Sequence, residues 1–255
     1  MSQIGDWFPA ETTYPGAPEP ARAMAKTSLQ VLLEVSRAEQ RPRDFYSVHM
    51  PAWVAEEVAP HHVRVTVLRE PVARTISHLR HIARAMQLVG GQPAFGSLQE
   101  LYDDPRWHER LVNYQVRIFA TTRAEAERAH DRRIASLPPG TRLPDGFLLP
   151  IMATGIEGCE PLGDDALERA IATLDHFDVV GVTEHLDLAF AQVAELVGRE
   201  ARPVGHINRG SPTLEASEEL VEHVRADQKL DSMLYDHARA MALRVGERQV
   251  PTAEF

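Results

Sequence analysis

The chain has 255 residues, is 44% apolar and 25% charged, and carries a net charge of −10 from 37 acidic and 27 basic side chains. Its single cysteine, Cys159, excludes a disulfide framework, and its acidic balance disfavours a role coating nucleic acid. No apolar run approaches the roughly 18 residues that a membrane helix needs, and the opening MSQIGDWFPAETTYPG lacks the basic start and apolar centre of a secretory signal. A cytosolic, globular chain is expected.

The charge is uneven. Residues 41–90 hold seven arginines against four acids, a net of +3, so the remainder sums to −13. The same window carries five of the twelve histidines, namely His49, His61, His62, His78 and His81. A cationic, His-rich window in an acidic chain points to a small anionic ligand.

In chain order, residues 1–22 are rich in proline and turn formers and read as irregular. Apolar spacing predicts a helix over 23–37, a short strand over 44–49 and a helix over 51–58 with Pro51 in its first turn. Val63 to Leu68 (VRVTVL) is the clearest strand, β-branched at four of its six positions. After Arg69-Glu70-Pro71 a helix is predicted over 72–88, with Val72, Ile76, Leu79 and Ile82/Ala83 on its apolar face. Further helices are expected over 97–102 and 108–130, then a loop over 137–146 and a strand over 146–152. A helix over 164–174, a strand over 177–182 (FDVVGV) and a helix over 184–197 follow. The loop GHINRGSP (205–212) then leads into a long helix ending near Gly246, with Ser211 as its cap and Pro212 at its first position. Strands alternating with helices predict an α/β domain with a central, mostly parallel sheet.

The chemistry gathers around Val65 to His81. A strand ends at Arg69, the chain turns through proline, and a helix begins that carries Arg74, Ser77 and Arg80. Ligands of parallel sheets bind at the carboxyl ends of strands, and the N–H groups of an adjoining helix N-terminus suit an anion. Arg69 supplies a fork of donors for phosphate and Ser77 a hydroxyl. The plainer reading has Arg69 capping the strand in an ion pair with Glu70 or Glu184, and Ser77 as an ordinary helix residue. A metal hydrolase built on His61-His62 or His78-x-x-His81 is disfavoured, since no H-E-x-x-H occurs. Cys159, in a Gly/Glu-rich loop without a matching histidine segment, reads as a free thiol.

The segment LREPVARTISHLRH resembles the 3′-phosphate-binding motif R-[DE]-P-x-x-R-x-x-S of sulfotransferases that use 3′-phosphoadenosine 5′-phosphosulfate. Arg69, Glu70, Pro71, Arg74 and Ser77 all match in place. Three further segments agree in order with the branch that holds uronosyl 2-O-sulfotransferases and bacterial relatives. SVHMPAW (47–53) is similar to its gH-[MVF]-P segment, FDVVGVTEHLDLAFAQVAELVG (177–198) to its "vGlTErfdeSl" unit, and LDSMLYDHA (230–238) to its D-x-x-L-Y helix. The resemblance spans residues 44–245. It implies a single domain with the three-layer P-loop-type fold, and sulfuryl transfer from that donor, without a metal, to a hydroxyl acceptor, a small molecule or a carbohydrate. It places Arg69 and Ser77 on the 3′-phosphate and His49 at the catalytic base, and matches Asn208 and Arg209 loosely to a cofactor-proximal loop.

One departure stands out. The family's phosphate loop, typically P-K-[TA]-[GA]-[GS]-T-S, does not occur in the sequence given. Lys26, in AKTSL, shares a K-T-S string with it, but two prolines precede it and no glycine permits close backbone approach, so Lys26 reads as a helix residue. Two explanations stand open. The chain begins at an internal methionine, or it is a degenerate member that keeps the 3′-phosphate half-site and binds a bisphosphonucleotide without turnover. In either case the chain as given is expected to be a poor catalyst.

Overall fold

The computed structural model describes residues 7, 13–14, 32, 43–90, 95–135, 161–201 and 214–249. In chain order these form β1 (Thr13–Tyr14), β2 (Phe45–Tyr46), α1 (Trp53–Val58), β3 (Val65–Leu68), α2 (Pro71–Gly90), α3 (Leu98–Asp103) and α4 (Pro105–Leu111). There follow α5 (Tyr114–Ala120), α6 (Arg123–Ala135), α7 (Ala166–Leu174), β4 (Val179–Val182), a 3₁₀ turn (Thr183–His185), α8 (Leu186–Leu196), α9 (Glu218–Asp227) and α10 (Lys229–Gln249). The fold is α/β, and the strands among the described residues form two parallel pairs. Among the described residues no helix is long and apolar enough to cross a membrane.

The chain divides into two units, one of Met1–Arg64 with Arg117–His176 and the other of Val65–Val116 with Phe177–Phe255. In the first, β1 and β2 pair parallel over Tyr14, Leu32, Met50, Val54 and Val58, which form one apolar cluster. The stretch read as irregular thus contains a strand, and Leu32 is the one described residue of the helix expected over 23–37, helical and buried. In the second unit β3 and β4 pair parallel, with Leu68 opposite Val182. Every residue of β4 is buried, as expected for a parallel strand covered by helices, here α8 and α10. The apolar stripe of α2 packs Ile76, Leu79 and Ile82 against Leu98, Leu101 and Tyr102 of α3, Leu111 of α4, and Leu220 and Val224 of α9.

Two expected helices are subdivided. The helix expected over 108–130 is three, α4 to α6, and both breaks have local causes. Asn113 adopts a left-handed conformation (φ 48°) between α4 and α5. Thr122 and Glu125 then form a reciprocal cap for α6, the Glu125 N–H donating to Thr122 Oγ1 and the Thr122 N–H to Glu125 Oε2. The long helix expected after Pro212 begins at Glu218, where Ser217 Oγ accepts from the Leu220 N–H. It breaks at Gln228, whose buried amide is spent elsewhere: Nε2 donates to Leu111 O (2.9 Å) and Oε1 accepts from the Asn113 N–H (2.9 Å). The loops over 137–146 and 205–212, the strand over 146–152, Lys26, Cys159, Ser211 and Pro212 lie outside the described residues.

Strand β4 approaches α8 closely at Gly181. A Cβ there would stand 2.6 Å from the Ala189 Cβ, so either the strand or the helix would have to shift. Gly181→Ala is expected to destabilise the protein by about 1–3 kcal/mol through overpacking, read from the urea denaturation midpoint. An unchanged midpoint would mean that α8 accommodates the methyl group.

Candidate functional site

Of the residues singled out in the sequence, the second unit brings together Arg69 and Ser77, while His49 belongs to the first. Asn208 and Arg209 lie outside the described residues. His49 is exposed, in the segment between β2 and α1.

Arg69 is the residue immediately after β3, and its main chain is held from both sides. The Arg69 N–H donates to Gln115 Oε1 (3.0 Å), and the same amide's Nε2 donates back to Arg69 O (3.0 Å). The guanidinium is exposed and makes no ion pair or hydrogen bond among the described residues. The plainer reading, an ion pair of Arg69 with Glu70 or Glu184, is thus not formed among them, although Glu184 lies close enough for the Arg69 charge to act on it.

Glu70 has a different task. Its carboxylate caps α2, accepting from the N–H groups of Val72 (3.0 Å) and Ala73 (2.7 Å), while Glu70 O accepts from the Arg74 N–H (2.8 Å). Pro71, the first helical residue, has no N–H to offer. The first-turn donors of α2 are therefore all used within the protein, which corrects the expectation that this helix N-terminus is open to an anion. What remains for a ligand is side-chain capacity. The Ser77 hydroxyl, half-buried in the second turn, makes no hydrogen bond among the described residues.

Two arginines of α2, Arg74 and Arg80, are committed to packing. Arg74 lies over the Tyr114 ring, its guanidinium carbon 3.8 Å from the ring centroid. Burial lowers its pKa, against the opposing pull of Tyr114 and Asp231, and its Nη1 is buried without a hydrogen-bond partner among the described residues. Arg80 donates from Nε to Leu214 O (3.1 Å). His78 stands beside Tyr114 (ring centroids 6.4 Å apart) and meets His81 edge-on (6.3 Å).

Beneath the site lies a buried polar network that motif reading sees only in part. Asp231, wholly buried in α10, accepts from the N–H groups of Gln115 (3.0 Å) and Val116 (2.7 Å) at the start of α5. Asn113 Oδ1 accepts in turn from the N–H groups of Leu230 and Asp231 (3.1 Å each) and caps α10 from outside. Burial pushes the Asp231 carboxyl up, opposed by the N–H groups of Val116 and Gln115 and by the Arg74 charge. The aspartate of the D-x-x-L-Y segment thus orients Gln115, and Gln115 orients Arg69.

The tyrosine of that segment acts at the same strand ends. Tyr235 OH donates to Glu184 Oε2 (2.8 Å), and Thr183 Oγ1 donates to Glu184 Oε1 (3.1 Å). Partial burial raises Glu184, but the Tyr235 and Thr183 bonds and the Arg69 charge outweigh it and hold its carboxyl below the usual range. Burial and then the Glu184 bond push the Tyr235 hydroxyl up to about 12.

Two other features carry ionisable groups. Within the second unit His108 and His223 both face Asp227 Oδ2 (3.8 and 3.5 Å), which accepts from the buried Tyr102 hydroxyl (2.9 Å). In the first unit a cavity of about 290 Å³ is lined by Arg117, Thr121, Glu125, Asp165 and Arg169 among others. Its charges pair internally, Arg169 with Glu125 (3.3 Å) and Asp165 (3.1 Å).

Comparison of the chain with protein-family models, with curated proteins and with solved structures finds no match.

Asp231→Asn replaces one of two acceptors with an amide N–H₂ facing a backbone N–H. It is expected to cost about 1–3 kcal/mol, the penalty for leaving a buried donor unsatisfied, measured by urea denaturation. A variant as stable as the parent would show that the network rearranges without loss.

Proposed function

We propose that the second unit binds the 3′-phosphate of an adenosine 3′,5′-bisphosphate nucleotide, and that the chain is a sulfotransferase of the three-layer P-loop type acting on a hydroxyl acceptor. The observation that carries this reading is the Arg69 guanidinium: exposed, without an ion pair among the described residues, and set at the carboxyl end of a parallel strand by a two-sided clamp on its backbone. Three of the four segments that resemble the family lie in this unit, and Arg69, Glu184, Asp231 and Tyr235 from them serve one set of strand ends.

The residues present suit the 3′-phosphate half of the nucleotide. Arg69 offers a planar fork of donors and Ser77 a hydroxyl, and neither is used elsewhere among the described residues. When bound, 3′-phosphoadenosine 5′-phosphosulfate supplies the sulfuryl group. Arg69 and Ser77 fix the orientation of the nucleotide, and the resemblance assigns His49 the task of accepting the acceptor hydroxyl's proton at an imidazole nitrogen, since histidine titrates near neutral pH.

A second reading, binding of the bisphosphonucleotide without transfer, is favoured by one observation: the sequence given holds no phosphate-loop motif to balance charge on the 5′ side. A sulfuryl-transfer assay repeated with any upstream residues restored separates the two, because only the enzyme reading then expects turnover.

Calorimetry with adenosine 3′,5′-bisphosphate is expected to show binding that Arg69→Ala weakens by about 1.5–3 kcal/mol, the worth of a charged hydrogen bond, and Ser77→Ala by about 1 kcal/mol. A folded chain that binds no bisphosphonucleotide, or an Arg69→Ala variant with undiminished affinity, would overturn the reading.

A further inference from the structure

The carboxyl ends of β3 and β4 carry opposite charges side by side. Leu68 and Val182 are paired in register, so Arg69 leaves β3 where Thr183 leaves β4, with Glu184 one residue further on. A bare phosphate site would gain nothing from a carboxylate in that place, since it repels the ligand. Yet this carboxylate is carefully held. Tyr235, itself buried, donates to one oxygen and Thr183 to the other, the Glu184 N–H adds a third bond, and the carboxylate keeps acceptor capacity for one further donor. Glu184 is exposed, so that capacity faces solvent. A guanidinium and an ionised carboxylate at neighbouring strand ends match a ligand in which an anionic ester stands next to a hydroxyl: the guanidinium takes the phosphate, and the carboxylate accepts from the hydroxyl.

We propose that Glu184, beside Arg69 at the ends of the paired strands, reads the hydroxyl adjacent to the bound phosphate, so that the site selects a 3′-phosphorylated riboside with a free 2′-hydroxyl over its 2′-deoxy counterpart. This rests on the bisphosphonucleotide reading and adds a specificity-determining residue to it. Among the described residues, the charges of Arg239 and Glu70 also act on Tyr235. The Glu70 carboxylate is half-buried and turned toward the N–H groups of Val72 and Ala73, whereas Glu184 is exposed and is the more open acceptor for a ligand hydroxyl.

The test compares adenosine 3′,5′-bisphosphate with 2′-deoxyadenosine 3′,5′-bisphosphate by calorimetry on the parent chain, on Glu184→Ala and on Glu184→Gln. The parent is expected to prefer the riboside by about tenfold, as for a hydrogen bond to a charged acceptor. In Glu184→Ala the two nucleotides should bind alike, with affinity for the deoxy compound retained. Glu184→Gln, which keeps the side chain's shape and an oxygen for Tyr235, should fall between. A parent that does not distinguish the two, a preference that survives in Glu184→Ala, or equal loss of both nucleotides in both variants would each overturn the role of Glu184 while leaving the bisphosphonucleotide reading in place. A parent that binds neither compound would remove both.

Discussion

The second unit depends on one buried carboxylate. Asp231 sits on α10 with no exposed surface, and its two oxygens take the first free N–H groups of α5. Burying a carboxylate is costly, and two backbone donors together with the nearby Arg74 offset part of that cost. From this anchor the order runs outward. Residues 115 and 116 are fixed, the Gln115 amide is aimed at β3, and the end of that strand is gripped on both its N–H and its C=O. Asn113 and Gln228 close the network from the other side, each satisfying backbone groups that the breaks between α4 and α5 and between α9 and α10 would otherwise leave unpaired.

This arrangement separates two kinds of arginine on one short stretch of chain. Arg74 is held against Tyr114 in a low-dielectric setting and acts as part of the core, whereas Arg69, five residues earlier, is held by its backbone and leaves its charge in solvent. A side chain positioned through its own main chain does not have to give up its guanidinium to be ordered. That is the physical difference between a structural cation and one that can meet a ligand.

The sequence makes the strand–turn–helix from Val65 to Gly90 legible because each local signal agrees: β-branched residues, a proline at the first helical position, and an apolar stripe of helical period. Glu70 was equally visible, yet its use as the cap of α2 follows from the position of a carboxylate just before a helical proline rather than from its place in a ligand motif. The break at Thr122 could have been read from the T-x-x-E spacing to Glu125. The breaks at Asn113 and Gln228 could not. Periodicity continues across both, and what ends the helices is a pair of amides that satisfy each other's neighbourhoods across more than a hundred residues of chain. The support of Arg69 by Gln115 is hidden for the same reason: it is a long-range contact between a loop backbone and a helix side chain, with no spacing to mark it.

The same connectivity bears on the order of events during synthesis. Gln115 meets its anchor Asp231 across 116 positions, and the second unit draws on residues 65–116 and again on 177–255. A chain that emerges from the ribosome N-terminus first exposes β3, α2 and the apolar faces of α3 and α4 well before α9 and α10 exist to cover them. Such non-local closure slows folding, because the loop entropy is lost before the contacts are made. The nascent first half of this unit therefore has an interval in which its apolar stripe is uncovered, and during that interval it resembles a client of chaperones more than a finished domain.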